Sequence, residues 1–400
     1  MPVPSALPRG LSKSCSAEFE LLCAIARPEP LLDRALEMLR AGVDHVELLR
    51  LATDHAVRPP LVRALAHLSW EAVPAEMRAA LDRFQRRHLV RMPALSEELC
   101  RVAEGFSEQG IAFAAFKGAA LAAGLYGDPT AREYNDIDVV VPEQRMDDAE
   151  EVLAGLGYRG VHGDRPFRRA FFAYQRQFAF LRECLDTTLD LHWDFCGVHL
   201  PFPLEPAELW SALVLVRIGR YQIPTVATPH LALLLAGHGT KESWRSLGWV
   251  NDFAMLVQRH PELDWSEVHR RAAAHGCGNA VLLGCLMAEG LLGVAAPLPM
   301  RAKIDASAPV RARAASLIAQ LCEGQPLPEK LADLSDIDLC DSRGDRLRAA
   351  LRLAVTRTAG DYEAMPLPQS IWGAYRVIRP FRLAAKALGH LARSASQVRQ

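Results

Sequence analysis

This chain of 400 residues lacks an excess of either charge, a cysteine pair at metal or redox spacing, and any uninterrupted apolar run long enough to cross a bilayer. Lys and Arg number 46 against 47 Asp and Glu, a formal net charge of −1, so no general affinity for polyanions is expected and nucleic acid is not the main substrate this composition predicts. The nine cysteines are scattered from Cys15 to Cys340 without a Cys-x-x-Cys, which excludes a zinc ribbon. Their odd number in a chain of this size predicts reduced thiols and a cytoplasmic protein. His230, His260, His269 and His275 have no zinc-like spacing either. The most apolar stretch, Ala280 to Ala296, is interrupted by Glu289 and closed by Pro297, which predicts a buried helix and no membrane span. Prolines at positions 2, 4 and 8 stand where a secretory signal would carry its apolar core, so no export is expected. No internal repeat or low-complexity tract stands out.

What is present is an apolar half of the composition, enough for two or three cores. From about Ser16 to Gly105 apolar residues recur at helical spacing: Leu21, Leu22 and Ile25, then Leu32, Leu36 and Leu39, then Leu61, Leu65 and Leu68. From Ile111 to Trp193 strands and helices alternate, with Asp147 to Leu156 the clearest helix. After Pro201-Phe202-Pro203 the helical period returns, over 231–237, 250–260, 265–275 and 345–356. The expected class is α+β: a small mixed-sheet core (106–200) between an N-terminal helical region (1–105) and a C-terminal helical domain with a basic tail (201–400).

The chemistry is concentrated in that core. In Asp136-Ile137-Asp138, followed by Val139-Val140-Val141, an extended strand points both carboxylates to one side and Ile137 to the other. Such a pair suits a hard cation, Mg²⁺ or Mn²⁺, together with nucleotide phosphates, and two-metal phosphoryl transfer holds ions about 3.5–4 Å apart. Thr187-Thr188-Leu189-Asp190-Leu191-His192-Trp193 reads as a further strand that offers a third acid, Asp190, with His192 on its face. Upstream, the short apolar strand Gly110 to Phe116 ends in Lys117-Gly118, and Ala119 to Ala123 favours helix. A phosphate fits that turn, drawn by backbone N–H groups and the Lys117 ammonium.

In this order the residues resemble the nucleotidyltransferase fold of the DNA polymerase beta-like superfamily: a glycine turn, Asp-x-Asp, then a single Asp on a later strand. More narrowly, Lys117-Gly118, Tyr126, Pro129, Arg132, Asp136-Ile137-Asp138, Gly157-Tyr158 and Leu189 to Trp193 are similar to a bacterial family of uncharacterised nucleotidyltransferases. Leu367-Pro368, Tyr375 and Arg379 to Leu383 match its tail. The resemblance implies transfer of a nucleoside monophosphate from an NTP to an acceptor, with release of pyrophosphate. Asp136, Asp138 and Asp190 would be catalytic and metal-binding, Lys117, Gly118 and Arg132 nucleotide-binding, and His192 a supporting contact or a structural histidine. The superfamily usually carries Ser or Gly after the turn glycine, whereas Ala119 and Ala120 follow here. That departure leaves open a nucleotide-binding or protein-interaction module of low turnover on the same fold.

Other features carry competing readings. Asp336-Ile337-Asp338 repeats the acidic tripeptide but precedes a turn-like Cys340 to Gly344, so a decorative role is expected. Arg132 is a phosphate ligand, a partner of one of the acids, or a surface arginine. His238 and Lys241 face a cleft together, or close a helix that packs Trp244 and Trp249. Arg376, Arg379, Arg382, Lys386, Arg393 and Arg399 form an acid-free tail, which reads as a solvated basic face or as a surface for an anionic acceptor or carrier.

Overall fold

The computed structural model describes residues 15–161, 176–195, 204, 206–324 and 340–385. The N-terminal helical period becomes α1 (Ala17–Ile25), α2 (Leu32–Ala41), α3 (His45–Asp54), α4 (Arg58–His67) and the long α5 (Ala75–Glu108). Ser16 starts α1 by accepting the Phe19 N–H, and Asp44 starts α3 by accepting those of Val46 and Glu47.

The sheet region then runs β1 (Ala114–Ala115), α6 (Gly118–Leu121) continuing into a π-helical turn (Ala122–Tyr126), β2 (Asp136–Val140), α7 (Met146–Gly155), β3 (Arg159–Gly160), β4 (Gln177–Arg182) and β5 (Thr187–His192). After α8 (Pro206–Ser211) come β6 (Val214–Ile218) and β7 (Tyr221–Thr225). The seven strands lie in the order β3-β4-β5-β2-β1-β7-β6, with β2 parallel to β5, β1 parallel to β7 and the other pairs antiparallel.

Two expectations change here. The strand expected over 110–116 is paired only at Ala114 and Ala115, which meet Val140 and Val139; Ile111 and Phe113 pack into the core without ladder bonds. A hairpin also appears at 214–225, where the sequence suggests a return to helices. Its strand Val214 to Ile218 alternates, burying Val216 and Ile218, and Gly219 at φ +58° makes the turn.

The chain continues through α9 (Thr228–Lys241), α10 (Leu247–Arg259), α11 (Trp265–Ala274), α12 (Gly278–Leu292), α13 (Leu298–Ala306), α14 (Ala308–Cys322), α15 (Arg343–Val355) and α16 (Ala359–Ala364). The apolar stretch beginning at Ala280 is the buried helix α12; among the described residues no helix is long and apolar enough to cross a membrane. Leu22, Leu48 and Leu61 from the first helices share one core with Val250, Phe253 and Leu283, so helical regions far apart in sequence bury each other's apolar faces. Cys15 and Cys322 are joined by a disulfide across these regions, which corrects the expectation of reduced thiols for this pair. A second core lies under the sheet. There Tyr158 and Arg182 both bond Glu98 of α5, at 2.7 and 2.9 Å, clamping the long helix to the sheet edge.

The tail also differs from expectation. Arg379 is only 2% exposed and Arg382 is half-buried; both pair with Asp361, and Arg379 also donates to the Leu353 carbonyl and the Thr358 hydroxyl. The acid comes from α16, about twenty residues upstream, so an acid-free run in sequence is not acid-free in space. Arg376 is exposed, and Lys386, Arg393 and Arg399 lie outside the described residues.

Candidate active site

Asp136 and Asp138 stand two residues apart on β2, on one face of the strand. In the parallel register with β5, Asp138 lies opposite Asp190 and Val140 opposite His192. One ligand atom from each of Asp138, Asp190 and His192 then falls within 4.8 Å of the other two. His192 Nε2 is 3.0 Å from Asp138 Oδ1, and its ring stands edge-on to Phe116. Lys117 Nζ donates to the same oxygen at 3.4 Å. Across β4, Gln177 Nε2 donates to Asp190 Oδ2 at 2.7 Å.

The charges are unevenly compensated. Burial alone would raise the pKa of Asp138, but the Lys117 ammonium and the His192 hydrogen bond outweigh it and hold this carboxyl below the usual range. Burial and then the Asp138 charge push Asp136 up, and burial with both neighbouring acids pushes Asp190 up to about 7. Lys117 is itself held ionised: burial opposes its charge, and Asp138 and Asp136 override that. His192 and His238 fall below the ordinary imidazole value, chiefly through burial. An ionised Asp138 only accepts, so neutral His192 donates through Nε2, and its buried Nδ1 has no hydrogen-bond partner among the described residues. Among those residues Lys117 makes the only lysine or arginine ion pair to the three acids. Carboxylate oxygens, an imidazole and a shortage of positive charge fit a divalent cation that prefers oxygen ligands.

The turn beside this cluster is tight. Gly118 has φ +49°, and a Cβ there would lie 3.1 Å from the Asp136 carbonyl oxygen, so both conformation and space call for glycine. Arg132 reaches the same turn from the other side, with Nη1 3.5 Å from the Gly118 carbonyl. Its fork is turned to Asp252 on α10, Nε to Oδ1 at 3.1 Å and Nη2 to Oδ2 at 2.9 Å. Tyr126 donates to the same carboxylate at 2.7 Å.

All of these groups fall within residues 41–293, which match the sequence profile of a family described as an uncharacterised nucleotidyltransferase. The chain belongs to that family. No curated protein matches it. Among solved structures it is similar to the antibiotic-resistance factor ANT(2'')-Ia in solution, at 16% identity over 44% of this chain and 89% of that one, with a TM-score of 0.31. It is also similar to the crystal structure of ANT(2'')-Ia in complex with adenylyl-2''-tobramycin, at 15% identity over 45% and 95%, with a TM-score of 0.32.

Within this nucleotidyltransferase, Asp138, Asp190, His192 and Lys117 converge, Asp136 adjoins them, and Arg132 is engaged by Asp252. Asp336 and Asp338 lie outside the described residues. At the end of α9, Lys241 adds positive charge near Asp190, His238 is buried with its ring edge-on to Trp249, and Gly239 between them seats Trp244, against which a Cβ would lie at 2.5 Å. The segment packs against Trp244 and Trp249, as one of its two readings expects. Sequence reasoning missed Gln177 and Asp252. Gln177 carries no local signal, but Asp252 does: it is an acid set among Val250, Phe253, Ala254 and Leu256, where only a buried partner would make it tolerable.

Proposed function

We propose that this nucleotidyltransferase is metal-dependent and moves a nucleoside monophosphate from an NTP to an acceptor hydroxyl, breaking the α–β phosphoanhydride bond and releasing pyrophosphate. The observation that carries the reading is the convergence of Asp138, Asp190 and His192, with burial and the two neighbouring acids raising Asp190 itself to about 7. Asp136, Asp138 and Asp190 would hold Mg²⁺ or Mn²⁺, and His192 would fix Asp138 or join it as a ligand. A bound divalent ion supplies charge to offset that of the triphosphate and to activate the acceptor oxygen.

The chain's own groups do the remainder. Lys117, already ionised, binds phosphate oxygens at the Gly118 turn, and the turn's backbone lets the nucleotide tail approach closely. Asp190, oriented by Gln177, accepts the proton of the acceptor hydroxyl. Arg132 contributes by holding the turn against α10 and by its charge beside the phosphates. We assign the acceptor to the small molecules, peptides or proteins, in line with the near-neutral chain.

A second reading, a nucleotide-binding module of low turnover, rests on Ala119 and Ala120, which offer the phosphates no hydroxyl. One experiment separates the two: incubation of the purified protein with each labelled NTP, Mg²⁺ or Mn²⁺ and a cell lysate, with Asp138→Asn in parallel. Label transferred by the wild type and absent with Asp138→Asn supports the enzyme. Metal-dependent NTP binding without transfer supports the module, and equal transfer by both proteins overturns the site.

A further inference from the structure

A second charged site lies among the helices, lined by none of the acids of the active site. A cavity of about 360 Å³ opens between the segment that follows α1, helix α4 and helix α10, and Arg27, Arg63 and Arg259 line it. Arg27 is the decisive residue. It is 8% exposed, its Nε is buried without a hydrogen bond, and it has no ion pair among the described residues. Burial lowers its pKa, an effect only partly offset by Glu29, whose carboxylate accepts from Gln258 at 2.6 Å. A guanidinium stays ionised in proteins, and an ionised group taken from water without a counter-charge is costly. The lining of the cavity supplies one acid, Asp128, and its Oδ1 is already taken by the backbone and hydroxyl of Thr130, each at 2.8 Å. Arg63 donates to the Ala131 carbonyl at 3.2 Å and has no ion pair among the described residues.

We propose that this cavity binds a small phosphate-bearing molecule. Three arginines against one aspartate leave two positive charges in the lining, which match the dianion a phosphate monoester carries near neutral pH. Guanidinium forks also suit the paired oxygens of phosphate better than a point charge does. Pro28, Pro30 and Pro60 stiffen the rim, so little ordering is needed on binding.

The test uses the full chain with EDTA present, so that no metal can recruit phosphate to the acidic cluster. Calorimetric titration with inorganic phosphate and with ribose 5-phosphate should show one saturable site. Arg27→Met and Arg259→Gln should each weaken binding at least about tenfold, the factor lost with one charged hydrogen bond. Asp138→Asn should bind as the wild type does, which keeps this test separate from the transfer assay. Tighter binding of ribose 5-phosphate would identify the ligand as an ester, and equal binding as free phosphate. In phosphate-free buffer Arg27→Met should melt no lower than the wild type, because it removes a buried charge that then has no partner. The proposal is overturned if neither probe binds saturably, or if Arg259→Gln and Arg27→Met keep wild-type affinity.

Discussion

Arg132 and Asp252, 120 residues apart in sequence, meet in a two-bond fork that ties the glycine turn of the active site to helix α10. Their side chains are 15% and 3% exposed, so removing either partner strands a charge. Asp252→Ala should cost about 3 kcal/mol, within the range for broken buried pairs, and equilibrium urea unfolding measures it. Arg132→Lys should recover only part of this, since an ammonium cannot make the fork.

Gly118 is the second point of stress. Gly118→Ala places a Cβ on a left-handed residue and against the Asp136 carbonyl, so a loss of about 1–2 kcal/mol in stability is expected. The same displacement should weaken NTP binding in the presence of metal, which titration calorimetry reads. Gly42→Ala is a useful comparison, because its φ is also positive and nothing lies near its Cβ; it should leave NTP affinity unchanged.

His55 should make stability depend on pH. It is buried, its Nδ1 accepts the Leu247 N–H at 3.3 Å, and burial lowers its pKa to about 4. The unfolded residue titrates near 6.5, so between these values the unfolded chain binds more protons and stability falls as pH falls. The contribution is fully present above about 6.5 and lost by about 4, on the order of 3 kcal/mol. His55→Asn, which can still accept the Leu247 N–H, should show a shallower decline of urea midpoint across that window.

The basic tail should prove structural at two of its arginines. Asp361 is 1% exposed and holds both Arg379 and Arg382, so Asp361→Ala should open α15 and α16 to hydrogen exchange. Arg376→Glu, at an exposed position, should leave the exchange pattern unchanged.

The acids at 136, 138 and 190, the turn at 117–118 and the helical flanks were legible because each is written locally, as a two-residue period, a glycine or a 3.6-residue period. The resemblance to the family sharpened that reading because its motif residues sit in the same order. The hairpin at 214–225 was legible in principle from its alternation but was hidden by the helices around it. Tyr126 and Tyr158, taken from the family pattern without a partner, find theirs in Asp252 and Glu98, and Arg132 pairs with Asp252 and not with an acid of the site, all across long sequence separations.

The sequence by itself determined which residues carry carboxylates on a common strand face, since side-chain alternation is a property of the extended backbone. Only the tertiary structure decided that Asp138 and His192 touch, that Arg132 is held by Asp252, and that the tail arginines have an acid. Those outcomes depend on strand register and on which helices share a core, and both are set by apolar burial summed over the whole chain rather than by any local pattern.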